Sequence, residues 1–186
     1  MDEDLIKTIL TTGILKRIDR TGWVKKGVKN PESVSDHSYR VAVIAMLVAP
    51  LLDLDQAKLI KMALLHDLGE AVIGDVIWEK GKKIIGSQSE KHKDEGEAVK
   101  QIFDKTNNKE YVELWEEFEL QTSKEAQVLK QIDKLEMAIQ AYEYEREGNP
   151  SEKLNEFWEN AEKYLQDKEL GPLFNLLVKM RSSNES

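Results

Sequence analysis

The chain has three histidines, and His66 stands directly before Asp67 in an otherwise apolar run, Met62-Ala-Leu-Leu-His-Asp-Leu-Gly-Glu70. A buried ionised carboxylate is costly unless something neutralises it, and this stretch offers Asp67 no basic neighbour. A divalent cation would neutralise it. His37, beside Asp36, begins a second apolar helix, and Asp133 follows Ile132 on the largely apolar face of a third. His37, His66, Asp67 and Asp133 together make a set of two nitrogens and two oxygens. That set is harder than a thiolate site and suits one divalent transition metal (Co, Mn, Ni, Fe or Zn), with positions left for water and substrate. Each residue also has a plainer explanation. A lone histidine on an apolar helix is commonly a satisfied core residue, and Asp133 beside Lys134 can be a surface ion pair. Three successive apolar helices, each offering such a residue, are harder to explain by chance, and on the residues alone the metal and the plainer explanation stand about level.

The elements that must position these residues read as helices throughout, so the fold class is all-α. Charged residues make up 33% of the chain while Gly (10) and Pro (4) are sparse, a composition suited to exposed helical faces. Leu5, Ile6, Ile9, Leu10 and Ile14 recur at helical spacing and predict a first helix ending near Arg17, followed by an irregular connection over residues 23–31. Ser33 and Asp36 form a capping pair for a buried helix over residues 34–52, and Asp55 caps the next, which runs into His66 and Asp67. Gly69 and Gly74 loosen the backbone there. Residues 79–97 read as a polar loop feeding a helix that begins at Ala98. Its Lys80, Lys82 and Lys83, with Gly81 and Gly86, are either a lid that greets phosphate or simply solvated. Asn107 and Asn108 break that helix, and Tyr111 to Phe118 belong to another. Thr122 and Glu125 predict a capping box for the longest helix, residues 123–146. Gly148-Asn149-Pro150 supplies a stop, a cap and a first-turn proline, and two C-terminal helices follow, broken at Gly171-Pro172, before a disordered tail over residues 182–186. At 186 residues the chain is expected to be one domain with one core at about 15–146 and capping helices at about 151–181.

Composition excludes several functions. With 27 basic and 35 acidic residues the net charge is −8, opposite to the footprint of a protein that binds nucleic-acid polymers through phosphates. The absence of cysteine rules out disulfides, zinc ribbons and thiol nucleophiles, and fits a reducing cytoplasm. No apolar stretch reaches about 18 residues, and the acidic N-terminus does not resemble a signal peptide, so no membrane span is expected.

In their order, His37, His66-Asp67 and Asp133 resemble the signature of the HD-domain metal-dependent phosphohydrolases. More narrowly, Glu32-Ser-Val-Ser-Asp-His37, Leu64-Leu-His-Asp-Leu-Gly-Glu70, Gly74-Asp75 and Gln131-Ile-Asp-Lys-Leu-Glu136 are similar to the branch that contains bacterial 5′-deoxynucleotidases. The resemblance runs from about Leu15 to Tyr144. It implies a single HD-domain helical bundle in which His37, His66, Asp67 and Asp133 hold the metal and Glu70 and Asp75 belong to the active site. It also implies a phosphate-binding arginine, best matched by Arg20 with Arg17 as the fallback. Glu70, three residues after Asp67 and four after His66, shares their face on a continued helical turn. Otherwise Glu70 is a helix end, Asp75 a helix cap, and Arg17 a surface partner of Asp19.

In the resembling enzymes a tryptophan directly follows the arginine and helps exclude a ribose 2′-hydroxyl. Here Trp23 comes three residues after Arg20, and its alternative role is a core anchor. The implied activity is hydrolysis of nucleoside 5′-monophosphates, deoxy forms above all, by a cytoplasmic homodimer whose only partner is a small-molecule nucleotide. The alternatives are another phosphohydrolase of the superfamily, acting on nucleoside triphosphates, cyclic nucleotides or an alarmone, or a non-catalytic metal-binding interaction protein. His92, flanked by charge, reads as a solvated residue, so a histidine-rich two-iron centre lacks ligands. Trp115, Phe118, Trp158 and Tyr164 read as core or as a dimer contact.

Overall fold

The computed structural model describes residues 2–75, 88–106 and 108–183. Among the described residues ten α-helices follow one another: α1 (Asp2–Thr12), α2 (Thr21–Lys26), α3 (Val34–Val48), α4 (Gln56–Leu65), α5 (Glu70–Ile73), α6 (Gln88–Phe103), α7 (Lys109–Leu120), α8 (Lys124–Arg146), α9 (Ser151–Leu165) and α10 (Gly171–Ser183). Short 3-10 turns at Gly13–Arg17, Ala49–Leu51 and Asp104–Thr106 extend α1, α3 and α6. Among the described residues the only β-type pairing is an isolated antiparallel bridge between Asp19 and Ser33, so the expected all-α class holds. None of these helices is long and apolar enough to cross a membrane.

The 23-residue α8 is the central element, with α3, α4, α7, α9 and α10 packed around it. One cluster of buried residues runs from Leu15 to Leu177, taking in Val41, Leu59, Met62, Leu129, Ile132, Ala138, Leu154 and Phe174. α8 is buried over much of its circumference, which is how one helix can present Asp133 and Glu136 inward among apolar neighbours.

Local chemistry explains most boundaries. Ser33 Oγ accepts from Asp36 N at 3.1 Å and Asp36 Oδ2 accepts from Ser33 N at 2.9 Å, the reciprocal box expected for α3. That helix is shorter than the periodicity predicts, because Pro50 has no N–H to give to Met46 O, and the chain tightens into a 3-10 turn. Gln56 Nε2 donates to the Met46 carbonyl instead, at 2.7 Å. Asp55 caps α4 as expected, accepting from Lys58 N at 3.0 Å.

Further expectations are corrected. The irregular segment after Arg20 contains α2, closed by Gly27 at φ +79°, where a side chain would be strained. α6 starts ten residues before Ala98, its His92 already stacked on Trp115 of the helix that follows. Ser123, not Thr122, caps α8, accepting from Ala126 N at 3.1 Å, because Gln121 turns left-handed at φ +54° to end α7. Asn149 closes α8 rather than capping α9: its backbone and side-chain nitrogens both donate to Tyr144 O at 3.0 Å. Gly171-Pro172 opens α10 instead of separating the last helices, and the helix continues through Ser182 into Ser183. The lysines of the expected lid, Lys80, Lys82 and Lys83, lie outside the described residues.

Candidate metal centre

The capping box fixes the first turn of α3, and from that turn His37 points inward with no exposed surface. Its Nδ1 is held by Glu136 of α8, which turns Nε2 toward the interior. His66 follows the last residue of α4. Its Nδ1 lies 2.7 Å from Ala63 O, so Nδ1–H donates to that carbonyl and Nε2 is the free nitrogen. The two Nε2 atoms face one another at 3.3 Å. Asp67 Oδ2 lies 3.3 Å from His66 Nε2 and 3.7 Å from His37 Nε2, and Asp133 Oδ1 lies 3.4 Å from His37 Nε2. Donors bonded to one ion at about 2.0–2.2 Å stand roughly 3–3.5 Å apart, so this spacing fits a divalent metal. His37, His66 and Asp133 are all buried and lie close enough to share an ion. The second nitrogen of each imidazole is already held, by a carboxylate and by a carbonyl, as histidine ligands require.

Charge around the cluster is dense. Arg20 Nη1 donates to Asp67 Oδ2 at 3.0 Å. Burial pushes this guanidinium's pKa down, but Asp67, then Glu70, Asp133 and Asp75, outweigh burial and keep it charged. Burial likewise pushes Asp67 up, yet His66, Arg20 and His37 hold its carboxyl well below the usual carboxylate range. Asp133 behaves the same way: burial is outweighed by Lys134, His37 and Lys130. For His37, burial and Arg20 lower the pKa while Glu136 and Asp133 raise it, to about 9. A proton and a divalent ion therefore compete for the same nitrogen.

Of the other expected site residues, Glu70 is 3% exposed at the start of α5, one turn beyond His66. Asp75 Oδ2 accepts from Thr21 N at 2.6 Å and its carbonyl accepts from Thr21 Oγ1 at 2.7 Å, so Asp75 caps α2 and ties it to the segment after α5. Arg20, the residue before that helix, is thereby steered onto Asp67. Arg17 is exposed at the end of its 3-10 turn. Trp23 is 1% exposed, its ring 4.0 Å from that of Phe157 and 5.2 Å from that of Tyr144, with Nε1 donating to Glu32 Oε1 at 2.9 Å. That is the core-anchor placement, not a ring open to a sugar.

His92 is partly exposed, stacked on Trp115 and 3.0 Å from Glu119. Trp115, Phe118 and Trp158 are core, whereas Tyr164 is 42% exposed. Trp115 Nε1 donates to His66 O at 3.2 Å, and Phe118 meets the His66 ring edge-on.

Sequence reasoning gave no role to Glu136, Arg40, Glu32 or Lys130. Arg40 Nε donates to Glu136 Oε1 at 2.8 Å and Nη1 to Glu143 at 2.6 Å, so α3 and α8 are bolted together behind His37. Glu32 is pushed up to about 7, by burial and then by Glu136. The available signal was position: Glu136 and Arg40 each stand three residues after a ligand on a helical face. Glu136→Gln should weaken metal affinity about 10–100-fold, as loss of a partner behind a ligand does, measured by competition with a chelator. Unchanged affinity would remove Glu136 from the centre.

Residues 12–170 match the HD domain family model. The chain belongs to the HD domain family. It is 40% identical over 179 residues to a zebrafish (Danio rerio) protein named 5′-deoxynucleotidase HDDC2, covering 94% of this chain and 86% of that one. To the human protein of the same name it is 39% identical over 183 residues, covering 97% and 87%. Among solved structures, a conserved hypothetical protein from Pyrococcus furiosus superposes with TM-score 0.78 at 42% identity, covering 95% of this chain and 99% of that one. The PH0347 protein from Pyrococcus horikoshii gives TM-score 0.79 at 37% identity, with coverage of 95% and 98%.

An HD bundle that holds an ion between helices should lose stability without it. A ligand at 100 times its Kd adds about 2.7 kcal/mol, or roughly 5–10 °C in Tm for a chain of this size. Chelation is expected to lower Tm by that amount, and one equivalent of metal to restore it, in a thermal melt.

Proposed function

We propose that this HD-family chain is a divalent-metal-dependent phosphomonoesterase that hydrolyses nucleoside 5′-monophosphates, preferring deoxy forms, to nucleoside and inorganic phosphate. The observation that carries the reading is the convergence of His37, His66, Asp67 and Asp133 within 3.3–3.7 Å contacts, with the Arg20 guanidinium fixed on Asp67 at the same place. The names of relatives at about 40% identity support the substrate class.

In this reading His37, His66, Asp67 and Asp133 hold one ion, which is Co, Mn, Ni, Fe or Zn. When bound, the ion supplies charge relief at the phosphoryl group and makes water nucleophilic near neutral pH. Arg20 binds the phosphate. Its fixed charge counters the oxygens where negative charge gathers in the transition state. Glu70 and Asp75 handle the protons of the attacking water and the departing sugar oxygen. Arg17, exposed at the end of its 3-10 turn, is the fallback for binding the phosphate. Trp23 anchors the core beside Glu32 and takes no part in binding the sugar. The whole chain works as one domain, with a core at about 15–146 and α9 and α10 as its cap. We assign it to the cytoplasm as a homodimer acting on small nucleotides, not on nucleic-acid polymers.

The test is phosphate release by metal-stripped protein resupplied with each metal, on deoxy-AMP and AMP. The expected result is metal-restored release, faster from the deoxy compound. No release from any monophosphate with any metal would overturn the reading.

A further inference from the structure

Asp133 uses its two oxygens differently. Oδ1 faces the histidine cluster, whereas Oδ2 faces Lys134 Nζ at 3.1 Å and Lys130 Nζ at 3.5 Å. Neither lysine is an ordinary surface cation. Lys134 keeps 17% of its side chain exposed and its ammonium lies 5.6 Å from the centre of the Tyr164 ring. Lys130 lies 5.4 Å over Phe118, the same ring whose edge meets His66. On α8 the two lysines are three residues before and one residue after Asp133, so together they bracket its carboxylate. The Asp133–Lys134 ion pair, the plainer explanation of Asp133 in the sequence, does form, but on a buried carboxylate beside the histidine cluster.

We propose that Lys130 and Lys134 are positioning residues that hold the outer oxygen of Asp133, so that only its inner oxygen serves the metal and the coordination shell keeps room for substrate and water. This rests on the metal reading above. A carboxylate free to turn can chelate through both oxygens and take a position that a catalytic site must leave open. The lysines also lower the net negative charge that the ion meets. Their loss should therefore tighten metal binding while slowing the reaction, whereas loss of a merely structural contact would weaken metal binding as it slowed the reaction.

The experiment uses Co2+ as the probe, with Lys130→Met, Lys134→Met, the double variant and Lys134→Arg beside the parent chain. Helical content by circular dichroism checks that each variant folds, and the single variants carry the test should the double one not fold. The expected result for the Met variants is a Co2+ Kd about 10-fold tighter, from the removed charge, and turnover on deoxy-AMP roughly 10–100-fold slower. A changed visible absorption spectrum of the bound Co2+, reporting altered coordination, should accompany both. Lys134→Arg should restore the parent spectrum and most of the turnover. Weaker Co2+ binding in folded Met variants, or an unchanged Kd and spectrum, overturns the clamp while leaving the metal centre in place. A parent chain that takes up no Co2+ overturns the metal reading and the clamp with it.

Discussion

Asp67→Ala is expected to strip the protein of its metal and to lower phosphate release by about 1,000-fold or more, the scale of losing the charge stabilisation a bound ion supplies. Asp67 has two duties at one oxygen. Its Oδ2 lies 3.3 Å from His66 Nε2 and also receives Arg20 Nη1 at 3.0 Å. Removing it takes away a ligand and leaves a largely buried guanidinium without its nearest counter-charge, so some loss of stability is expected as well. Asp67→Asn separates these effects, since it keeps the shape while losing the charge. Elemental analysis should find both variants metal-poor and the Asn form folded. Full metal content in either would remove Asp67 from the ligand set.

Glu70→Gln should do the opposite to the metal and much the same to the chemistry. Glu70 is buried, lies within the field of Arg20 and starts α5, one turn past His66, and the proposed function gives it the proton and not the ion. Glutamine keeps the size and cannot take a proton at the pH of the reaction. Metal content should stay at the parent level while turnover falls about 10²–10⁴-fold, the range for loss of a general acid or base. Turnover within a few-fold of the parent would rule Glu70 out of the proton path.

Much of the site was legible because its signals are local in the chain. The Ser33–Asp36 box needs four consecutive residues, and it starts the turn that carries His37. His66-Asp67 announces itself as an ionisable pair on an apolar run, and the lack of cysteine already limits the donors to imidazole and carboxylate. In two places a distant partner overrode the local reading. The connection after Arg20 becomes helical because Asp75, 54 residues away, receives the Thr21 N–H that starts α2. Trp23 stands three residues after Arg20 in sequence, but Phe157 and Tyr144 draw its ring into the core. The α8 cap moved by one residue because Gln121 adopts a left-handed turn that no pattern of apolar spacing records.

The sequence by itself determined the helical class, the hard donor set and the order in which the helices bring those donors, because capping, period and donor chemistry are properties of neighbouring residues. Only the tertiary structure decided that Glu136 and Arg40 stand behind His37, that Lys130 and Lys134 take the outer oxygen of Asp133, and that Trp23 is sealed from the site. The physical reason is depth. A charged side chain at helical spacing reads the same in sequence whether it faces water or a neighbouring helix, and the packing of α8 against α3, α4 and α9 settles which it does.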